Sequence, residues 1–216
     1  MKMTSNKPLA QADEVIKRLK RRYPGAHITL RFSSPLELLV ATVLSAQCTD
    51  ERVNGVTAGL FKKYRTAADY AQANPEQFEQ EIKVTGFYRN KARNIISAAR
   101  LMVARFNGQV PRTMAELITL PGVARKTANI VLYNSYGVIE GIAVDTHVRR
   151  LSQRLGLSRN SDPERIEQDL IKQVPKDEWG QFSYLLIDHG RAICVARKPR
   201  CDICLLNDIC PSAFKV

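Results

Sequence analysis

Lys126 stands in the stretch Leu120-Pro121-Gly122-Val123-Ala124-Arg125-Lys126-Thr127-Ala128, and nineteen positions after it comes Asp145, in Val144-Asp145-Thr146-His147. Together they offer an amine nucleophile and a carboxylate able to steady positive charge or move protons. Pro121 and Gly122 break one helix. The run from Val123 to Tyr136, with Val123, Ala124, Thr127, Ala128, Val131, Leu132 and Ser135 apolar or small, predicts the helix that restarts after them. Lys126 then falls in a first turn, where unpaired amides and the macrodipole make the potential positive and favour a neutral amine over a further cation. A helix from Arg125 to Tyr136 climbs about 18 Å, and the chain from Gly137 to Asp145 covers about 26 Å when extended, so the aspartate can return to the lysine. Asp145 precedes the amphipathic run Val148, Leu151, Leu155, which places it at an N-cap. Singly, such a lysine is most often a solvated charge and such an aspartate only a cap.

A second, independent signal lies near the C-terminus. Cys194, Cys201, Cys204 and Cys210 form C-x6-C-x2-C-x5-C within seventeen residues, and only Cys48, read as a buried thiol, lies elsewhere. Two disulfides would suit an oxidising compartment, but no N-terminal apolar segment resembles a secretory signal. Four thiolates this close can hold zinc or an iron–sulfur cube. Spacing alone leans slightly to zinc, although zinc sites usually pair two C-x2-C clips and this chain has one. Between the first two cysteines run three cations and no acid, Arg197, Lys198 and Arg200, a loop suited to a phosphate backbone.

From about Ala10 to Cys210 the chain closely resembles the endonuclease III family of helix-hairpin-helix DNA glycosylases. The Leu-Pro-Gly hairpin, the lysine, the distant Val-Asp-Thr-His and the cysteine spacing carry the likeness. The resemblance implies a [4Fe-4S] cluster on the four cysteines, serving mainly to shape the basic loop. It also implies a bifunctional DNA glycosylase and AP lyase acting on oxidised pyrimidines, with Lys126 attacking C1′ and Asp145 supporting the developing charge. An enzyme working on a base inside a duplex must extrude it and fill the gap. Gln47, in Ala46-Gln47-Cys48, matches the gap-filling glutamine, and Phe87, in Gly86-Phe87-Tyr88-Arg89-Asn90-Lys91, matches the wedge, where the family commonly has leucine. Gly122 and Ala124 match the phosphate-holding hairpin, although Ala124 replaces a usual second glycine and is read as already helical. His147 matches a DNA-contacting position. The segment Gly137 to Gly141 is one residue longer than in common bacterial members.

The elements that must position these residues read as helices. Gln11 to Tyr23 puts Ala12, Val15, Ile16, Leu19 and Tyr23 on one stripe, and Leu36 to Ala46 is apolar nearly all round. Helices are also predicted over Asp50 to Tyr64 and over Asn74 to Val84, the latter with Asn74 as cap and Pro75 at the first helical position. Tyr88 to Phe106 turns Ala92, Ile95, Ile96, Ala99, Val103 and Phe106 inward. With no period-two run long enough for a sheet, the fold class is all-α. No linker marks a boundary. The resemblance supplies one: a helical barrel domain over 28–138 and a discontinuous cluster domain from 1–27 and 139–216, with a DNA-binding cleft between them that carries Lys126 and Asp145. The first few residues read as a disordered start.

Net charge +12 over 216 residues and a pI near 9.7 suggest a polyanionic partner; charge alone equally permits ribosomal, RNA-binding or membrane-surface roles, and it is the resemblance that implies double-stranded DNA with damaged bases or abasic sites. The most apolar stretch, Leu38 to Ala46, is too short to span a bilayer. The absence of heptads points to a monomer, and the expected place is the cytoplasm, at a nucleoid of bacterial or archaeal type. Three rival readings remain. A monofunctional mismatch or adenine glycosylase shares hairpin and cluster, but adenine enzymes lack the lysine and carry a glutamate where this chain has Val40, Ala41, Thr42 and Val43. The others are a non-enzymatic helix-hairpin-helix DNA-binding module and an electron carrier.

Overall fold

The computed structural model describes residues 7–216, with side chains from residue 11 onward. The start expected to be disordered lies outside the described residues. Helices α1 Lys7–Arg22, α2 Pro35–Leu44, α3 Asp50–Lys63, α4 Ala67–Ala71, α5 Pro75–Glu81, α6 Tyr88–Arg105, α7 Met114–Leu117, α8 Arg125–Tyr136, α9 Thr146–Arg154, α10 Pro163–Leu170 and α11 Trp179–Ala192 follow in order. Short 3-10 turns occupy Lys83–Thr85, Lys176–Glu178 and Cys201–Ile203, and there is no strand among the described residues.

Two compact units divide the chain: Thr29–Glu140 is continuous, and the other joins the residues up to Ile28 with Gly141–Val216. In the continuous unit α2 packs on α3, α6 and α8, while α4 and α5 lie along α6. An apolar α2 suits that central place, and Leu38 to Leu44 are buried without a break. Its start is fixed by Ser34, whose hydroxyl accepts the Glu37 amide, with Pro35 at the first position. Asn74 caps α5 ahead of Pro75 in the same way. Around Phe78 the rings of Tyr64 and Tyr70 meet it edge-on, with centroids 5.4 and 5.9 Å away.

The inward face of α6 differs from its sequence reading at the C-terminal end, where Phe106 is the C-cap and only half-buried. Ala92, Ile95, Ile96 and Ala99 are buried, but Val103 is 45% exposed and Met102 is buried instead. Val103 keeps the direction of Ala92, Ile96 and Ala99 but lies in the last turn of α6, which ends at Arg105, whereas Met102 continues the line through Ile95 and Ala98.

The discontinuous unit is built on α11, which packs against α1 and α9, with α10 against α9. Val15, Leu19, Val148, Leu151, Phe182, Leu185, Leu186 and Leu206 form its core. Phe78→Ala, which removes a fully buried ring, is expected to destabilise the continuous unit by about 3–5 kcal/mol, read from a lowered urea midpoint at unchanged slope.

Candidate functional site

The hairpin before α8 is anchored by buried Leu120 and Val123, with the Val123 amide donating to the Leu120 carbonyl at 3.0 Å. Between them Gly122 takes φ +80°, and a Cβ there would lie 2.8 Å from Asn94 Cβ. Both facts demand glycine. Ala124, expected to be helical, is instead the N-cap of α8, with extended angles φ −89° and ψ 170°. Its methyl costs no backbone strain because φ is negative, and it brings no side-chain cap to the first-turn amides. Lys126 follows as the second helical residue, exposed, while Ala128, Val131 and Leu132 hold the opposite side of α8 in the core.

Asp145 caps α9 in the other unit. Its Oδ1 accepts the amides of His147 and Val148, both at 2.8 Å, and Oδ2 lies 3.1 Å from His147 Nδ1. Both side chains remain partly exposed, 20% for Asp145 and 27% for His147. Gly190 of α11 lets α9 come close: a Cβ there would stand 3.0 Å from Arg150 Nη2 and 3.2 Å from His147 Cδ2.

Gln47 and Phe87 lie at two turns of the continuous unit. Both are exposed, Phe87 to 64%, and both are non-glycine residues in the left-handed region, at φ 53° and 48°. Cys48, read as buried, is only half-buried, because it lies in the turn after α2 and not inside the helix.

Cys194, Cys201, Cys204 and Cys210 line one pocket with Leu151, Leu155, Ile193 and Leu206. No three Cys, His, Asp or Glu side chains among the described residues converge as a single ion requires. Four thiols on one pocket are the donor set of a cube, which receives one thiolate at each iron. Burial pushes the Cys204 and Cys210 thiols up, and the neighbouring thiols add to the effect. Cluster binding therefore displaces protons.

The surrounding shell was not legible in the sequence. Arg154 Nη1 donates to Cys194 Sγ at 3.3 Å and to the Val195 carbonyl at 2.8 Å, and its Nη2 donates to the Ala196 carbonyl at 3.0 Å. Arg150 holds the carbonyls of Cys194 and Gly190. His189, buried, lies between Tyr23 Oη at 3.2 Å and Cys204 Sγ at 3.4 Å. Burial, then Arg22, lowers its pKa to about 4, so the imidazole is neutral and serves one partner as donor and the other as acceptor. These contacts fix the root of the loop whose Arg197, Lys198 and Arg200 are exposed.

A helical fold with a lysine-bearing hairpin and a four-cysteine cavity defines a class. Residues 40–176 match the HhH-GPD superfamily of base excision DNA repair proteins, and residues 194–210 match the iron–sulfur binding domain of endonuclease III. The chain is 54% identical to Endonuclease III of Synechocystis sp. over 212 residues, 98% of this chain and 96% of that one. With Endonuclease III of Bacillus subtilis it shares 44% over 208 residues, covering 96% and 94%. A trapped endonuclease III–DNA covalent intermediate, an estranged-adenine complex, superposes with TM-score 0.90 at 44% identity, over 94% of this chain and 96% of that one. The chain belongs to the endonuclease III family.

Arg154→Ala takes the donors from Cys194 and from two carbonyls. The expected result is a protein that loses the visible absorbance of its cluster several-fold faster under dilute chelator, with helical content retained.

Proposed function

We propose that this protein is a bifunctional DNA glycosylase and AP lyase of base excision repair, excising oxidised pyrimidines and cutting the strand 3′ to the abasic site. One observation carries the reading: Lys126 stands exposed on the first turn of α8, behind a turn that requires Gly122, in a chain 44% identical to a relative caught covalently on DNA. The Lys126 amine attacks C1′ of the extruded nucleotide and the bond to the base breaks. The resulting Schiff base acidifies the C2′ proton, whose removal expels the 3′ phosphate by β-elimination. Asp145 supports the positive charge that grows on the sugar. Its Oδ1 already accepts two amides, which leaves Oδ2, beside His147, for that task.

The DNA contacts are part of the same proposal. Gln47 faces the orphaned base, Phe87 wedges the stack, and His147 touches the backbone. The hairpin at Gly122 and Ala124 holds a phosphate on amides that have no side-chain cap. Arg197, Lys198 and Arg200 meet phosphates further along. Cys194, Cys201, Cys204 and Cys210 carry the [4Fe-4S] cluster, which supplies the cross-link that shapes this loop. The unit Thr29–Glu140 serves as the helical barrel domain, and the discontinuous unit as the cluster domain. No described helix is long and apolar enough to cross a membrane, and we place the protein in the cytoplasm at the nucleoid, as a monomer. A lysine at position 126 favours this reading over an adenine glycosylase or a module that only grips DNA.

Borohydride is expected to trap the wild type on duplexes bearing thymine glycol or an abasic site, with Lys126→Gln giving no adduct. Strand cleavage that survives in Lys126→Gln overturns the lyase assignment. Asp145→Asn keeps an N-cap of equal quality, so its melting point should hold within a few degrees while base excision falls by roughly a hundredfold or more, as the loss of one preorganised charge implies.

A further inference from the structure

Lysine is among the residues least often buried, yet Lys91, in the first turns of α6, is 4% exposed. Its ammonium donates to two backbone carbonyls, those of Leu44 and Thr85, each at 2.8 Å. Both acceptors lie where a regular element has just stopped. Helix α2 ends at Leu44, and the Cys48 amide that a continuing helix would send to its carbonyl goes to Ser45 at 3.1 Å. Thr85 closes the 3-10 turn Lys83–Thr85, after which Gly86 and Phe87 turn left-handed, at φ 70° and 48°. The backbone amide of Lys91 adds a third bond, to the Phe87 carbonyl at 3.1 Å. One residue thus fastens the root of one turn to the root of another, 47 positions away in one case and six in the other.

What the turns carry gives the arrangement a use. Gln47 stands three residues beyond Leu44 and Phe87 two beyond Thr85. Both are exposed and both are held in a conformation that L-residues avoid. A methionine at position 91 would fill much the same space but leave two buried carbonyls without donors, so packing alone does not account for the ammonium.

We propose that Lys91 is a positioning residue for duplex invasion, pinning the Gln47 and Phe87 turns to each other so that both side chains enter the DNA together at a fixed separation. The inference rests on the assignment of those two side chains to the opened duplex. Lys91 touches neither DNA nor the reacting atoms, so its effect is confined to substrates that must be opened.

The test uses the holoenzyme and single-turnover borohydride trapping on one abasic sequence, presented as duplex and as single strand. For Lys91→Met the duplex rate should fall by roughly ten- to a hundredfold, the cost of a small misplacement remote from the chemistry, while the single-strand rate stays within about twofold. With 2-aminopurine opposite the site, the fluorescence rise that reports the unstacked base should weaken in parallel. Equal loss on both substrates, or no loss on either, overturns the proposal. Gln47→Ala and Phe87→Ala on the same pair separate the two levels of inference. If neither lowers the duplex rate relative to the single strand, the assignment of the turns fails. If they do and Lys91→Met does not, only the role of Lys91 fails. Should Lys91→Met not accumulate with its cluster, Lys91→Gln, one bond shorter and unable to span both carbonyls, carries the same expectation, and an unchanged duplex to single-strand ratio sinks it.

Discussion

A helix leaves its first amides and last carbonyls without partners, and in an all-helical chain the way those groups are satisfied fixes where chemistry can stand. At the start of α9 the need is met from within, by the Asp145 carboxylate, and that cap holds the acid in one orientation beside His147. At the start of α8 the N-cap residue, Ala124, supplies no such cap. The dipole there favours an anion, and a phosphate is what a strongly basic chain meets on DNA. The carbonyl end of α2 is satisfied by a lysine from α6. Each functional element thus grows from a local deficit of hydrogen bonds.

The cluster answers a different deficit. Beyond α11 the chain runs from Ile193 to Val216 with one 3-10 turn of three residues as its regular structure, and Leu206 is its anchor in the core. A segment so poor in helix recovers little of the entropy lost on ordering. Four ligands spread along it provide a cross-link, and binding energy at such a site becomes folding energy. Arg150 and Arg154 carry that order back to α9 through carbonyls on both sides of Cys194. Asp145 begins the same helix that Arg154 ends. Cap, His147 and basic loop therefore share one rigid element.

Much of this was legible in the residues themselves. Periodicity placed α1, α2, α3, α5, α6, α8 and α9 within a few residues of where they lie, because apolar stripes of this length have few other ways to be buried, while α4, α7, α10 and α11 were not read from it. Caps such as Asn74 and Asp145 were readable since capping is a local interaction. The exceptions share a cause. Lys91, Arg150 and Arg154 are cations that in sequence read as solvated surface, and their acceptors are carbonyls 40 or more residues away in most cases. A backbone carbonyl leaves no trace in the identity of its residue. Ala124 escaped for a related reason: whether a residue is the cap or the first helical position turns on one ψ angle, and alanine is compatible with both.

The departure at Phe87 bears on how a duplex is read. A wedge of leucine separates bases by bulk, whereas an aromatic ring offers a face on which a neighbouring base can stack, and every base has such a face. The Gln47 amide both donates and accepts, so it can pair with the edge of any orphaned base. In the proposed role, two invading groups of this kind, pinned at their roots by Lys91, would grip the helix with little regard for sequence. On that reading selectivity for damage does not reside in the intruding side chains. It lies with the base that must leave the stack, since a lesion that stacks or pairs poorly lowers the cost of extrusion before any pocket has touched it.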